Sequence, residues 1–337
     1  MDQRIIVSQH MGNLLCRDGI SVADMLGIQS QFLRCAKWAA QVRGMDLEAD
    51  PGRYFRSWTL RGTMHIHEIS DYGLYMHEGN RSSYMEAYWN DHSVISPESK
   101  GKAEDRMLRL IGSGVTKRKD IVKAFRESGT PKEAMDYLFN AWGGLPRILM
   151  ERGEIIQTVS DDLSYAYAPK TPVMTAEQAE LEQMKRYLEQ YAPCSIRDAV
   201  YFFRYPSAKT KRLMEQCVPA SSGRLIWKDG LVFRETGTVY DAEATHAVFV
   251  LPGFDPLLAG YEKKENGMIP AEHLRDVYSL QGMMKPVILH KGQCIATWTV
   301  RKHAAFIRPF GTDTKAAWKQ AEEKLRELTH CGECRYE

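Results

Sequence analysis

A run of three helices closed by two short strands occurs twice in this 337-residue chain, and no other feature restricts its possible folds as much. Between residues 102 and 168, Ala103, Met107, Leu110 and Ile111 recur at helical spacing and give a first amphipathic helix. Thr116 is placed to cap a second, running through Phe125 to Gly129. Thr130-Pro131-Lys132-Glu133 then offers a Thr N-cap, proline at the first helical position and glutamate three residues after the cap, which predicts a third helix. That helix breaks at Gly143-Gly144, resumes through Arg152 and ends at Gly153. Residues 154–158 and 164–168 pair as strands across Ser160-Asp161-Asp162. Three helices followed by a hairpin is the winged-helix arrangement, a variant of the helix-turn-helix.

The second instance covers residues 175–235. A long helix from Ala176 to Gln190 precedes a break at Pro193, Ser195 caps a helix to Phe203, and Ser207 starts another to about Cys217. Residues 224–227 and 231–234 flank Lys228-Asp229-Gly230, and Asp-Gly between apolar runs is a strong hairpin signal. The N-terminal segment, with helices ahead of a strand at Trp58, fits a third copy, although the repeat is one of pattern and not of sequence. Beyond Thr245 the pattern changes to strands at 246–251, 286–289, 293–300 and 304–308, with a tight turn at Lys291-Gly292 and a closing helix over 314–328. Asp255 in this region is read as stiffening a turn through its carboxylate in preference to a catalytic role. The expected class is α+β: winged-helix units over residues 1–98, 99–172 and 173–240, then a β-rich domain with a closing helix over 241–337.

With 44% hydrophobic and 26% charged residues the chain can bury two or three cores. Its first fifteen residues match neither a signal peptide nor a spanning helix, so the protein is expected in the cytoplasm. Seven scattered cysteines form no disulfide framework and are expected to be reduced. Cys331-Gly332-Glu333-Cys334, beside His330, has the spacing of half a zinc site, but a zinc site needs four ligands; a solvated tail is the preferred reading and no metal is expected. A net charge of +2 is weak for a nucleic-acid binder, so the distribution of charge must decide. Clusters occur at Lys117-Arg118-Lys119, Lys209 with Lys211-Arg212, Lys263-Lys264 and Arg301-Lys302, each of which alone is more often a solvated face. Glycine-rich phosphate loops, zincin helices and nucleophile elbows are missing, which argues against dinucleotide and nucleotide-hydrolase functions.

What remains for chemistry is a polar row and a glutamine pair. Residues 58–69 alternate so that Thr59, Arg61, Thr63, His65 and His67 share one face of a strand predicted to be half-buried, with Trp58, Leu60, Gly62, Met64 and Ile66 on the other. Gln29 and Gln31, two apart, lie about 200° apart on a regular helix and converge only if the chain at Gly27-Ile28-Gln29 is extended or turns sharply. Local capping of the following helix, a run from Phe32 to Arg43, is the structural alternative for the pair.

Together, Gln29-Ser30-Gln31, Arg61-Gly62-Thr63-Met64-His65, Val250-Leu251-Pro252-Gly253-Phe254-Asp255-Pro256-Leu257-Leu258 and Ile295-Ala296-Thr297-Trp298 resemble the AlkZ/YcaQ family of bacterial DNA glycosylases, almost end to end. The resemblance implies tandem winged-helix units, a C-terminal β-barrel, a concave DNA-binding surface, and bulky alkylpurines and interstrand crosslinks as substrates. Gln29 and Gln31 match the family's Gln-hydrophobic-Gln motif; Ser30 departs from its apolar middle position, and some relatives carry Asp in place of the second Gln. Alkylation at N7 of guanine or N3 of adenine makes the base cationic and ready to leave, so a neutral amide that orients water suffices. The expected enzyme therefore releases cationic N-alkylpurines from double-stranded DNA, leaves uracil alone, and works as a monomer without a cofactor.

His65 matches the family's Thr-x-His element and is expected to support catalysis through the sugar or phosphate; the structural alternative holds it against Thr63 or Arg61 on a wet sheet face. Arg61 suits a phosphate through its forked donors, with Thr63 and His67 in second rank, and Glu68 and Asp71 as substitute bases should Gln31 prove dispensable. Phosphate contacts are expected from Lys117, Arg118 and Lys119, from Arg147 and Arg152 on one recognition helix, and from Lys209, Lys211 and Arg212 on the equivalent one. Tyr84, Tyr88 and Trp89, near Asn80-Arg81, fit core packing better than a DNA wedge. The rival readings are a dimeric winged-helix regulator reading a palindromic site, and a resistance protein that binds damaged DNA without cutting it.

Overall fold

Apolar side chains at helical spacing need a partner surface, and between residues 47 and 180 they find it in one another. The computed structural model describes residues 3–337 except 51, 78, 79, 81, 161 and 236–246, and of Gln3 the backbone only. Arg81, Asp161, the 240/241 boundary and the expected strand start at 246 lie outside the described residues. The chain divides into two units, Leu47–Glu180 on one side and Met1–Asp46 with Leu181–Glu337 on the other.

In the smaller unit, helices Pro97–Gly112, Arg118–Glu127, Lys132–Leu138 and Gly144–Glu151 precede strands Ile155–Gln157 and Tyr165–Tyr167, as the winged-helix pattern requires. Met107, Ile111, Ile121, Phe125, Leu138, Leu145, Leu149 and Ile155 form the core, each contributing about 1.5–3 kcal/mol by leaving water. The first helix starts five residues earlier than expected, because Ser96 accepts from the Ser99 amide and Pro97 sits at the first position. Thr116 and Thr130 do not cap: Lys117 and Pro131 occupy the N-cap positions without a side-chain bond, while the Thr116 carbonyl accepts from Tyr165 N and the Thr130 hydroxyl lies 3.3 Å from that of Ser128. The break at Gly143-Gly144 is enforced sterically, since a Cβ on Gly144, at φ +49°, would sit 2.3 Å from the Leu138 carbonyl oxygen.

The alternating segment is not one strand. Tyr54–Trp58 and Met64–Glu68 form an antiparallel hairpin, and Leu60–Gly62 lie in the turn between them. Arg61 at φ 60° and Gly62 at φ 63° are two successive left-handed residues, the backbone a tight hairpin turn needs. Arg56 pairs with Gln157, so within this unit the strands run Met64–Glu68, Tyr54–Trp58, Ile155–Gln157, Tyr165–Tyr167.

The second winged helix, in the larger unit from Leu181 onward, comprises Ala176–Tyr191, Ile196–Phe203 and Ser207–Ala220, with the hairpin Leu225–Lys228 and Leu231–Arg234. A short strand, Cys194–Ser195, pairs with Leu231 and Val232. Ser195 and Asp198 form a reciprocal capping box, while the next helix starts after Pro206 without a side-chain cap. Asp229 and Gly230, at φ 51° and 80°, make the tight turn that Asp-Gly predicts.

The C-terminal strands form an open mixed sheet rather than a barrel, in the order Glu333–Tyr336, Ala304–Pro309, Gln293–Arg301, Val287–His290, Val248–Leu251. Helix Lys315–Thr329 covers one face, with Ala321 and Leu325 packed on Val250, Ile288, Ala296, Trp298 and Ile307. That helix is also the crossover that lets Glu333–Tyr336 run parallel to Ala304–Pro309. The expected solvated tail is therefore an edge strand entered through a buried Cys331. All seven cysteines are free. The N-terminal helices Gln3–Met11 and Leu33–Gln41 share this unit, tied in by the Tyr191 hydroxyl on the Met25 carbonyl and by His10 stacked 3.8 Å from Tyr261. The 1–98 segment is thus shared between the units, helices Gln3–Met11 and Leu33–Gln41 in the larger and the hairpin with helix Ser83–Asn90 in the smaller. Among the described residues, no helix is long and apolar enough to cross a membrane.

Candidate functional site

Leu26 and Gly27, at φ 53° and 92°, turn the chain into an extended pair, Ile28–Gln29, ahead of the helix that begins at Leu33. Extended backbone alternates, so Ile28 and Ser30 point inward at 0% exposure while Gln29 and Gln31 point outward. Gln29 is half-buried, Gln31 exposed, and Gln29 Nε2 donates to Gln31 Oε1 at 3.0 Å. The structure thus brings together two residues that a regular helix would have separated. Ser30 stands where an apolar side chain was expected, and its small volume suits the buried position.

The support behind the pair comes from a second motif. Phe32 stacks on Phe254 with centroids 5.8 Å apart, and Asp255 follows directly. Asp255 is fully buried, caps the short helix Pro256–Ala259 by accepting from Leu257 N at 3.0 Å, and receives both terminal nitrogens of Arg43 at 2.8 and 2.9 Å. The turn-stiffening role is what the geometry shows. Arg43, which no motif marks, also donates to the carbonyls of Leu14 and Ala39 at 2.6 and 2.8 Å.

In the smaller unit the polar row is not a wet face. His65 and His67 are each 1% exposed, because the hairpin is covered on both sides. His65 Nδ1 lies 3.1 Å from the Thr63 carbonyl oxygen and its Nε2 3.1 Å from Arg61 Nη2. A carbonyl only accepts, so Nδ1 carries the proton and Nε2 accepts from the guanidinium. Burial, then the neighbouring Arg61 and His67, hold the His65 pKa well below its ordinary value. His67 is pushed down to about 3 by burial; its Nε2 meets Thr59 Oγ1 at 2.9 Å and its ring stacks 3.6 Å from Tyr75. Both imidazoles are neutral at physiological pH and serve as fixed polar supports. The Thr63 hydroxyl donates to the Leu60 carbonyl and holds the turn that carries Arg61. Arg56 is a buried neighbour the sequence did not mark; it donates to Gln157 Oε1 and its pKa is lowered to about 10 by burial.

The cationic candidates divide by surroundings. Lys117 is exposed and pairs with Asp162 at 2.9 Å, Arg118 donates to the Phe139 carbonyl, and Lys119 is exposed. Arg147 is a correction: it is 6% exposed, ion-paired to Glu151 at 2.7 Å and stacked 3.8 Å over Trp58, because its helix turns that side toward the core. Arg152 pairs with Glu104 at 2.8 Å. Lys209 lies over the Tyr205 ring at 4.4 Å, Lys211 is 3.7 Å from Glu215, and Arg212 is exposed. Tyr88 and Trp89 are packing residues, with Tyr88 stacked 4.4 Å from Tyr137 and Trp89 buried, whereas Tyr84 is exposed.

The profile of one protein family, described as DNA glycosylase AlkZ-like, matches residues 22–331. An interstrand DNA cross-link repair glycosylase of Streptomyces sahachiroi is 20% identical over 324 residues, covering 90% of this chain and 87% of that protein. The solved structure of the Streptomyces sahachiroi DNA glycosylase AlkZ superposes with a TM-score of 0.71 at 16% identity, over 99% of this chain and 98% of that one, a likeness of fold.

Proposed function

Because the chain belongs to the AlkZ-like family of DNA glycosylases and so hydrolyses N-glycosidic bonds in DNA, we propose that its substrates are purines made cationic by alkylation, N7-alkylguanine foremost, in double-stranded DNA. Bulky adducts and crosslinks between the strands fall in the same chemical class, and the name of the Streptomyces relative supports including them. The observation that carries the reading is the hydrogen bond between Gln29 and Gln31, two neutral amides converging at the surface of one turn. An amide carbonyl accepts a hydrogen bond from water and aims its lone pair, but is too weak a base to take a full proton.

A cationic base needs no more. Water attacks C1′ as the glycosidic bond breaks, the bonding pair moves onto the base and neutralises it, and the water's proton passes to solvent. The carbonyl dipoles offset the positive charge that develops on the sugar. His65, neutral and accepting from Arg61, acts as a support that fixes the guanidinium for a DNA phosphate. The exposed cations Lys119 and Arg212 are assigned to the phosphate backbone. The protein acts as a cytoplasmic monomer on this reading.

Incubation with duplex DNA bearing N7-methylguanine, followed by an abasic-site assay, tests it. Wild type should yield abasic sites, Gln31→Ala should lower the rate by about a hundredfold, and a uracil-containing duplex should stay intact. Uracil release at a comparable rate, or no release from the alkylated duplex, overturns the proposal.

A further inference from the structure

Two phenyl rings meet beside the glutamine pair, and each is brought there by a departure from ordinary backbone. Continued alternation after the buried Ser30 and the exposed Gln31 would turn Phe32 inward. The chain bends there instead, so Gln31 and Phe32 both face outward and Phe32 is 48% exposed. Phe254 lies in the left-handed region at φ 60°, a conformation that a bulky side chain rarely adopts. Its neighbours hold it there. Gly253 packs so closely that a Cβ would sit 2.7 Å from the Met284 carbonyl oxygen, and Asp255 is fixed by Arg43 and by the Leu257 amide. Unusual backbone that its surroundings enforce points to a use for the side chain it presents.

The two rings are nearly parallel, at 16° with centroids 5.8 Å apart, which is an offset stack. Phe254 is half-buried and backs one side of Phe32. The Phe32 carbonyl accepts from Cys35 N at 2.9 Å and Ala36 N at 3.3 Å, at the start of the helix that follows. Ring and backbone of Phe32 are thus both held, while nearly half of the residue stays open to solvent. Phe32 follows Gln31 directly, with Cα atoms about 3.8 Å apart. The face of a phenyl ring is the negative part of its quadrupole, so it attracts a flat cation more strongly than a neutral ring of the same shape.

We propose that Phe32, backed by Phe254, stacks on the cationic purine and makes the protein favour it over the neutral parent base. The inference rests on the substrate reading above, in which Gln29 and Gln31 address C1′ of the same nucleotide. Base release tests that reading and the present test involves no bond cleavage, so the two fail separately. A 2′-fluorine on the sugar disfavours the oxocarbenium-like transition state and keeps the base attached. Duplexes carrying 2′-fluoro-N7-methylguanosine or its unmethylated parent at one position are titrated with wild type, Phe32→Tyr and Phe32→Leu. Wild type should bind the methylated duplex more tightly, and Phe32→Tyr should keep that preference. Phe32→Leu should bind the methylated duplex about tenfold more weakly and the parent duplex as well as wild type does. Thermal melting verifies that both variants are folded, as expected at a half-exposed position. Equal weakening on the two duplexes, a Phe32→Leu that keeps the preference, or a wild type that shows none overturns the proposal.

Discussion

Replacing Asp255 with alanine should destabilise the protein severely without removing a catalytic group. The carboxylate is fully buried and takes three hydrogen bonds, two from Arg43 and one from the Leu257 amide. In Asp255→Ala the guanidinium keeps the carbonyls of Leu14 and Ala39 but loses its only bidentate partner among these contacts, leaving a buried charge uncompensated. Such a loss costs about 3–5 kcal/mol. In a unit of about 200 residues each kcal/mol moves the midpoint by roughly 2–4 °C, so Tm should fall by roughly 6–20 °C. Removing both charges takes away the stranded cation, so Arg43→Leu/Asp255→Ala should recover about 2 kcal/mol or more relative to the sum of the single variants. Urea denaturation measures the energies, and base release at a temperature where the double variant is folded measures function. A single-variant cost below about 1 kcal/mol would refute the structural role. A folded double variant that releases no base would make Asp255 catalytic after all.

Acidification should weaken the smaller unit. His67 titrates near 3 when folded and His65 well below 6.5, against about 6.5 for an unfolded histidine. Below pH 6.5 the unfolded chain therefore binds protons that the folded one does not, and stability falls by up to about 1.4 kcal/mol per pH unit for each histidine until the folded group titrates. Urea midpoints at pH 7, 6 and 5 should descend, and His67→Gln should flatten the decline; a flat profile in the wild type would contradict the burial argument. Gly144→Ala should lose about 2 kcal/mol or more by calorimetry, from the 2.3 Å approach to the Leu138 carbonyl and the positive φ. Arg212→Ala should weaken duplex binding alike on all sequences and reduce the salt slope by about one unit, and loss confined to one sequence context would speak against a phosphate contact.

Elements whose cause is local were legible from the chain. The Ser195 cap with its reciprocal Asp198, the Asp229-Gly230 turn, the break at Gly143-Gly144 and the helix–helix–helix–hairpin order all depend on a few neighbouring residues, and all are present. The glutamine motif was legible only conditionally, since its convergence needed the extended backbone that Leu26 and Gly27 provide. The polar row failed as a wet face because alternation reports which side chains share a side and not what covers that side; the covered hairpin buries Met64, His65, Ile66 and His67 alike. Arg147 failed for the same reason, its charge being answered by Glu151 one helical turn away and by the Trp58 ring.

The order of the helices, the Ser195 cap, the Asp229-Gly230 turn and the family are set by the linear chain, because each is written in short stretches of sequence. Pairings across the chain were decided only on folding: Arg43 with Asp255, Arg56 with Gln157, and the parallel edge strand Glu333–Tyr336. Burial and charge compensation belong to surfaces brought together from distant segments, so no local pattern of charge or polarity foretells which side chain ends up paired and which stays in water.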